Sequence, residues 1–227
     1  MTARPDPPAD SAARRNPRAA PSIEQAIFAH VQPAAARRLL LAGHDVFARK
    51  GYAAATTREI AAVAQMSPAA MYIHYRSKQD LLFSLSLLGH EACEQALTAV
   101  LRSADPVPAQ LAAVIGEFAA WHAEYHTTAR IVHYELSALT RDNFDAVASV
   151  RRRIDRLVQS VLARGVGDGS FDFSDLPGTS LAVTSMCVDV ARWFPAGNLH
   201  SPADVRRLYA DLALRLVGYR HPDRSAQ

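Results

Sequence analysis

The stretch TTREIAAVAQMSPAAMYIHY, residues 56–75, contains two short helical patterns separated by a tight turn. Thr56 is followed three positions later by Glu59, which is the spacing of a capping box and predicts the start of a helix. Ser67 and Pro68 then supply an N-cap and a proline at the first helical position. Two short helices joined in this way predict a helix-turn-helix motif.

The flanking residues extend this motif into a three-helix head. A first helix is predicted from Pro33 to Lys50, with Gly51 as its stop. On the other side, Ser77 is a predicted N-cap, with Asp80 as its capping-box partner. The apolar pattern that follows stays helical to about residue 101.

The aromatic and basic cluster around the second helix of the motif divides into two groups. Met71 and Tyr75 are four residues apart, so we expect both to face the core of the head. Tyr72 is offset by roughly 100° from Met71 and should point outward with Ala69. A half-buried core position for Tyr72 is the alternative.

The rest of the chain also reads as helix, and the composition favours helix over sheet. No strand pattern or internal repeat is recognisable, so the predicted fold class is all-α. Cys93 and Cys187 form no C-x-x-C pair and are expected to be buried thiols in a reducing cytoplasm. Further helices are predicted at about 109–126, 129–140, 144–165, 176–194 and 202–219.

The net charge differs between the N-terminal part of the chain, called the front below, and the remaining C-terminal part. Residues 1–78 contain 11 Lys and Arg against 5 Asp and Glu, whereas residues 79–227 contain 14 against 17, so the front is the part expected to meet a polyanion. Residues 1–22 are rich in proline and arginine and should form a disordered basic arm, which either contacts DNA or is a solvated tail. We find no secretory h-region and no membrane span.

Residues 38–82 resemble the DNA-binding domain of the TetR/AcrR family of regulators. The matching pieces are F-x-x-x-G-Y, T-T-x-x-I-A, A-x-x-S-x-x-x-x-Y-x-H-Y and S-K-x-x-L-L. The resemblance implies a homodimer that binds double-stranded operator DNA and responds to a small-molecule effector. Each subunit would have an N-terminal helix-turn-helix head at residues 30–78 and a larger helical ligand-binding and dimerisation body at residues 79–227.

The resemblance also implies which residues meet DNA. Two departures from the family pattern bear on them: Gln65 stands where glycine is usual, and Ala69-Ala70 stands where Gly-Thr is frequent. The alanines offer methyl groups to thymine but no hydrogen bonds, so base choice would depend on Arg58, His74 and DNA shape. The DNA-binding residues implied are Thr57, Arg58, Ser67, Pro68, Ala69, Ala70, Tyr72, His74 and Lys78.

Two segments, one in the head and one in the body, carry a second, narrower resemblance. SPAAMYIHY in the head and residues 189–218 are similar to a TetR subgroup associated with acyl-CoA and steroid-degradation intermediates. This implies a repressor in lipid metabolism that an acyl-CoA releases; a regulator of drug efflux sensing apolar compounds is the alternative. The arginine-rich run at 151–156 is a candidate for contacts to the CoA phosphates and adenine, and a solvated helix face is its alternative. The candidate ligand-binding residues are Trp121, Arg152, Arg156, Arg192 and Trp193.

A zinc-binding helical enzyme is the competing class. His122, His126 and His133 would share a stripe on one unbroken helix, and three imidazoles can bind zinc. However, Glu124 stands one position late for the metalloprotease motif, and Thr127-Thr128 is expected to interrupt the helix. We therefore predict no catalytic residues, no metal and no cofactor other than the effector.

Overall fold

The computed structural model describes residues 23–194 and 201–220, in which the regular structure is helical, with no strand. The predicted arm at 1–22 lies outside these residues. Short 3₁₀ segments occur at Ile23–Phe28 and Leu136–Ala138. The α-helices are α1 (Ala34–Ala54), α2 (Thr57–Val63), α3 (Pro68–His74), α4 (Lys78–Val100), α5 (Val107–Glu124), α6 (His126–Tyr134), α7 (Arg141–Gly167), α8 (Leu176–Trp193) and α9 (Pro202–Leu216).

The head consists of α1, α2 and α3, as the sequence predicts. Gly51 has a φ of 78°, a left-handed conformation that glycine adopts without steric cost, and it ends the regular part of α1. Ser67 Oγ accepts a hydrogen bond from the backbone N–H of Ala70 at 3.1 Å and caps α3. Met71 and Tyr75 are buried in one core with the apolar face of α1, which confirms the predicted orientation of α3.

Only half of the predicted capping box at α2 forms. Thr56 Oγ1 accepts from the N–H of Glu59 at 3.2 Å. The carboxylate of Glu59 instead pairs with Lys50 Nζ at 2.6 Å. The reciprocal bond is lost because a cation at the end of α1 lies within reach of this carboxylate.

The body is built around α5, which packs against α4, α7, α8 and α9. Its small residues allow close packing, and at Gly116 the backbone of α9 comes close to α5. A Cβ at Gly116 would lie 2.9 Å from the carbonyl oxygen of Arg206, so a side chain there would push α9 away. A single apolar cluster runs from the head through α4 into the body.

Several predicted helix boundaries in the body were wrong, and the helix predicted to end at about residue 140 ends at Tyr134. The interruption expected at Thr127-Thr128 lies at Tyr125, and both threonines belong to the first turn of α6. The helix predicted to start at residue 144 begins at Arg141, because Thr140 caps it by accepting from the N–H of Asn143. Among the described residues, no helix combines the length and apolarity needed to cross a bilayer.

Candidate functional sites

The exposed surface of α3 is formed by side chains one turn apart. Pro68, Ala69, Tyr72 and Ile73 are all exposed, and Ile73 is 80% exposed although it is a large aliphatic residue. Tyr72 Oη shares a hydrogen bond with Thr57 Oγ1 at 3.3 Å, which joins α3 to the start of α2. The exposed surface of α3 is therefore mostly apolar, and the hydroxyl groups of Tyr72 and Thr57 lie at one side of it.

The remaining residues predicted to bind DNA lie around this face and differ in their exposure to solvent. Arg58 is exposed on α2, Ala70 and His74 are half-buried, and Ser67 uses its hydroxyl to cap α3. Gln65, in the turn between the two helices, has a φ of 56°, so the turn is left-handed at a residue that is not glycine.

Lys78 is tied to the head by its own hydrogen bonds. Its Nζ donates to the carbonyl oxygens of Tyr52 at 2.8 Å, Ala53 at 3.3 Å and Ala55 at 3.0 Å. The ammonium also lies 4.2 Å from the centre of the Tyr52 ring, within cation–π distance. All three protons of the ammonium are therefore used to hold the end of α1 against the start of α4.

The body contains a cavity of about 330 Å³ between α4, α5, α6, α7 and α8. Its polar residues include His90, His122 and His133, each from a different helix. The exposed Arg151 and Asp155 of α7 lie on its border. Its apolar wall includes Phe118, Trp121, Val132, Ile154, Leu181 and Val188.

Burial keeps the three histidines neutral. It lowers the pKa of His90 and of His122 to about 4 in each case. Burial and the neighbouring His122 lower the pKa of His133 to about 2. Burial also raises the pKa of the Cys93 thiol well above its usual value, so this cavity residue stays protonated.

On the rim of the cavity, Asp189 accepts hydrogen bonds from Arg192 at 2.7 and 2.9 Å. This contact lowers the pKa of Asp189. Within the arginine run of α7, Arg153 makes a bidentate pair with Glu94 at 2.6 and 2.7 Å. Arg151 borders the cavity one turn before Asp155, and its charge counteracts the rise that burial causes in the pKa of the Asp155 carboxyl.

Comparison with family models identifies both parts of the chain. Residues 39–85 match the bacterial regulatory proteins of the tetR family, and residues 104–217 match a tetracyclin repressor-like C-terminal domain. The chain belongs to the TetR family. TetR proteins are DNA-binding transcription regulators and not enzymes, so the predicted class is confirmed.

Solved structures agree with this assignment. A TetR regulator from Rhodococcus RHA1 is 38% identical, with 83% of this chain and all of that one aligned and a TM-score of 0.80. PfmR from Thermus thermophilus is 30% identical over 78% of this chain and 97% of its own, with a TM-score of 0.72. AibR, solved with isovaleryl coenzyme A and operator DNA, has a similar fold at 18% identity, covering 82% of this chain and 100% of its own, with a TM-score of 0.71. No curated protein matches by sequence.

The predicted ligand residues of this TetR protein do not all reach the cavity. Trp121 lines it, whereas Arg152, Arg156, Arg192 and Trp193 are not among the lining residues. Arg152 and Arg156 are exposed on α7, and Arg192 is held by Asp189. As ligand contacts, these four stay predictions.

The zinc-enzyme alternative is contradicted by the family and by the positions of its residues. His122 and His133 meet across α5 and α6, with their Nε2 atoms 3.3 Å apart, but His126 Nδ1 lies 3.0 Å from the carbonyl oxygen of Ala123. The helix break at Tyr125 turns His126 away from the other two. In the described residues, no group of three or more histidine, cysteine or acidic side chains is arranged to hold a metal.

Sequence reasoning missed Ile73 and His90, whereas Arg151 belongs to the run 151–156 that it singled out. Ile73 lies two positions, or roughly 200°, from buried Met71, so helical periodicity alone could have placed it outside. His90 reaches the cavity through the packing of α4 against α5, for which the sequence contains no comparable signal, and the same kind of packing brings Arg151, among the arginines of its run, to the border of the cavity.

Proposed function

We propose that this TetR protein is a cytoplasmic repressor that an acyl-CoA thioester, from lipid or steroid catabolism, releases from operator DNA. The observation that carries the proposal is the cavity, whose apolar wall suits an acyl chain and whose border includes Arg151. At about 330 Å³ it is at the small end of ligand pockets, so it would take the acyl part and leave the CoA nucleotide outside, against α7. A guanidinium pairs well with phosphate.

AibR supports this choice because it was solved with isovaleryl coenzyme A and operator DNA. AibR and this chain are 18% identical and share the same fold. An acyl-CoA as the effector of this protein is our proposal. Release by apolar compounds but by no thioester would favour the drug-efflux alternative.

On the DNA side, the exposed face of α3 would enter a major groove. Pro68, Ala69, Tyr72 and Ile73 would contact base edges and thymine methyl groups, with Arg58 nearby on α2. The other DNA-binding residues proposed are Thr57, Ser67, Ala70, His74 and Lys78. Ala70 and His74 would face the groove, where His74 would contribute to base choice, and Thr57 and Lys78 would position the head on the backbone.

Helix α6 is suited to couple the cavity to the head. Its residue His133 lines the cavity. On the same helix, Thr128 Oγ1 lies 3.0 Å from His44 Nε2 of α1. Just beyond its end, Glu135 Oε1 accepts from the N–H of Tyr52 at 3.2 Å. An effector that displaces α6 would therefore change the position of α1. Such an effector releases DNA if it binds the conformation with displaced α6 and α1 more tightly than the DNA-binding conformation.

Dimerisation would use α8 and α9. Leu208, Leu212 and Leu216 lie four residues apart on one side of α9 and are 41%, 38% and 41% exposed. An exposed aliphatic stripe of this kind fits a second copy in a four-helix bundle across a two-fold axis. Leu212→Glu should give a monomer in light scattering, whereas Ala163→Glu on the exposed surface of α7 should stay a dimer. A monomeric unmodified protein would disprove this interface.

The function is tested with labelled DNA from upstream of the gene, in fluorescence anisotropy. Binding should be tight and salt-dependent, and one class among long-chain and steroid-derived acyl-CoAs should release the DNA. Binding that no thioester disturbs would keep the regulator and remove this effector class.

A matched pair of variants tests the arginine assignment. Arg151→Ala should weaken release by acyl-CoA about tenfold, because the guanidinium that borders the cavity is lost. Arg152→Ala, one residue further on and away from the cavity, should respond normally. The opposite result would favour the sequence-based choice of Arg152.

A further inference from the structure

The polar end of the cavity has a defined pattern of hydrogen-bonding groups. It is formed by imidazoles from three helices, His90 of α4, His122 of α5 and His133 of α6. The rings of His90 and His133 are 6.0 Å apart at their centres, and those of His122 and His133 are 5.5 Å apart. A neutral imidazole carries one N–H donor and one acceptor nitrogen, so each ring offers one of two tautomers.

The backbone fixes the tautomer of His122. Its Nδ1 lies 2.8 Å from the carbonyl oxygen of Phe118, which can only accept, so Nδ1 carries the proton. Nε2 of His122 is then an acceptor. Since His133 Nε2 lies within hydrogen-bond distance of it, at 3.3 Å, His133 donates through Nε2, and its Nδ1 carries a lone pair.

The same reasoning applies to His90 and Thr184, while Ser185, Arg151, Asp155 and Asp189 complete the polar lining. His90 Nδ1 lies 2.7 Å from the carbonyl oxygen of Ser86, so Nδ1 is protonated and Nε2 is an acceptor. Thr184, also on the cavity wall, uses its O–H to donate to the carbonyl oxygen of Ser180 at 2.9 Å. Within the described part of the chain, His90 Nε2 and His133 Nδ1 meet no donor.

We propose that the cavity selects an effector with a hydroxyl group at its buried end, which donates to His90 Nε2 or His133 Nδ1. This rests on the proposed effector role of the cavity, and it narrows the effector to a hydroxylated chain or ring. A ketone, ester or carboxylate oxygen directed at these two nitrogens would face their lone pairs and would lose its hydration without gaining a hydrogen bond from them. The acyl chain of a hydroxyacyl thioester meets this requirement, and an acyl chain without a hydroxyl group does not.

The tautomers can be measured in the unliganded protein by long-range ¹H–¹⁵N NMR of the imidazole rings, in the presence of EDTA. We expect Nδ1–H for His90 and His122 and Nε2–H for His133. A protonated His90 Nε2 or His133 Nδ1, or stoichiometric zinc in the purified protein, would overturn the proposal independently of any acyl-CoA result.

Selectivity is tested with 2-octanol and 2-octanone, which share a skeleton and differ in whether the oxygen can donate. The alcohol should bind about tenfold more tightly, the value of one net hydrogen bond of about 1.4 kcal/mol. Equal binding, tighter binding of the ketone, or binding of neither would overturn the proposal. Because these probes lack CoA, the result is separate from the success or failure of the acyl-CoA titration.

Variants then assign the selectivity to the imidazoles. The triple variant His90→Leu, His122→Leu, His133→Leu should bind both probes with similar affinity, because losing His133 alone would leave the acceptor Nε2 of His122 unpaired in the same cavity. Val188→Ala, a change elsewhere in the same wall, should alter both affinities together and keep their ratio. A triple variant that kept the tenfold preference would overturn the assignment, and a folded circular dichroism spectrum serves as the control.

Discussion

Gln65 shows how a single backbone angle affects the stability of the head. The sequence indicated this position, because glycine is usual there, and the φ of 56° confirms a left-handed conformation. A side chain at this angle brings Cβ too close to the following carbonyl oxygen, at a cost of roughly 1–2 kcal/mol. Glycine would relieve this strain, although it would also increase the entropy of the unfolded chain.

Gln65→Gly should therefore raise the free energy of unfolding by about 0.5–1 kcal/mol, measured by urea denaturation. Gln65→Ala is the matched control: it retains a Cβ at the same angle, so its stability should stay close to that of the original. A destabilised glycine variant would contradict the argument.

Lys78 has two possible roles that can be separated by experiment. The family resemblance implies a phosphate contact, so Lys78→Ala should flatten the salt dependence of DNA binding by about one unit of slope. The three carbonyl acceptors imply a structural role, since removing the ammonium leaves all three without their donor.

We expect Lys78→Met to lower the free energy of unfolding by about 1–3 kcal/mol, because the bonds are charge-assisted and partly buried. Arg76→Met, at an exposed position two residues earlier, should have little effect on stability. An unchanged salt slope in Lys78→Met would remove Lys78 from the phosphate contacts, and unchanged stability would remove the structural role.

At the scale of the element, α3 shows what periodicity determines. Ser67 and Pro68 define its start, and the spacing of Met71 and Tyr75 defines its buried side, because both signals act within one or two turns. The opposite side follows from the same geometry. It includes Ile73, an aliphatic side chain that is 80% exposed in the free protein.

Ile73→Ala should weaken operator binding by roughly fivefold, or about 1 kcal/mol, through lost apolar contact with DNA. Its stability should not fall, because alanine is the better helix former and the side chain is exposed. Ile73→Leu keeps the apolar volume and should retain most of the affinity. Unchanged affinity of the alanine variant in anisotropy titrations would exclude Ile73 from the DNA contacts.

At the scale of the whole molecule, the histidine cluster makes stability depend on pH. His90, His122 and His133 have depressed pKa values in the folded state and ordinary values near 6.5 in the unfolded chain. Below about pH 6.5 the unfolded chain therefore binds more protons than the folded one. The contribution of the neutral rings to the free energy of unfolding is therefore fully present above about pH 6.5. It decreases as the pH falls toward the folded-state pKa values, which are about 4 for His90 and His122.

We expect the free energy of unfolding to fall between pH 6.5 and 4, with each histidine adding up to about 1.4 kcal/mol per pH unit. His90→Phe should reduce this slope, measured by urea denaturation at several pH values. Val132→Ala, in the same wall, should lower stability at every pH and leave the slope unchanged. A slope that His90→Phe does not alter would contradict the pKa argument.

The sequence by itself determined the all-helical class, the helix-turn-helix head, the caps at Thr56, Ser67 and Ser77 and the buried side of α3. These features depend on interactions between residues a few positions apart, so their signals are local. The family resemblance rests on the same stretch of the chain.

Only the tertiary structure decided the composition of the cavity and the partners of Lys78. His90 and His133 are 43 residues apart in the chain and meet because α4 and α6 pack together, and Arg151 borders the same space from α7. Lys78 reaches the carbonyl oxygens at the end of α1 in a similar way. Which side chains converge depends on how the helices cross and on their rotation about their axes, and neither quantity has a periodic signal in the sequence.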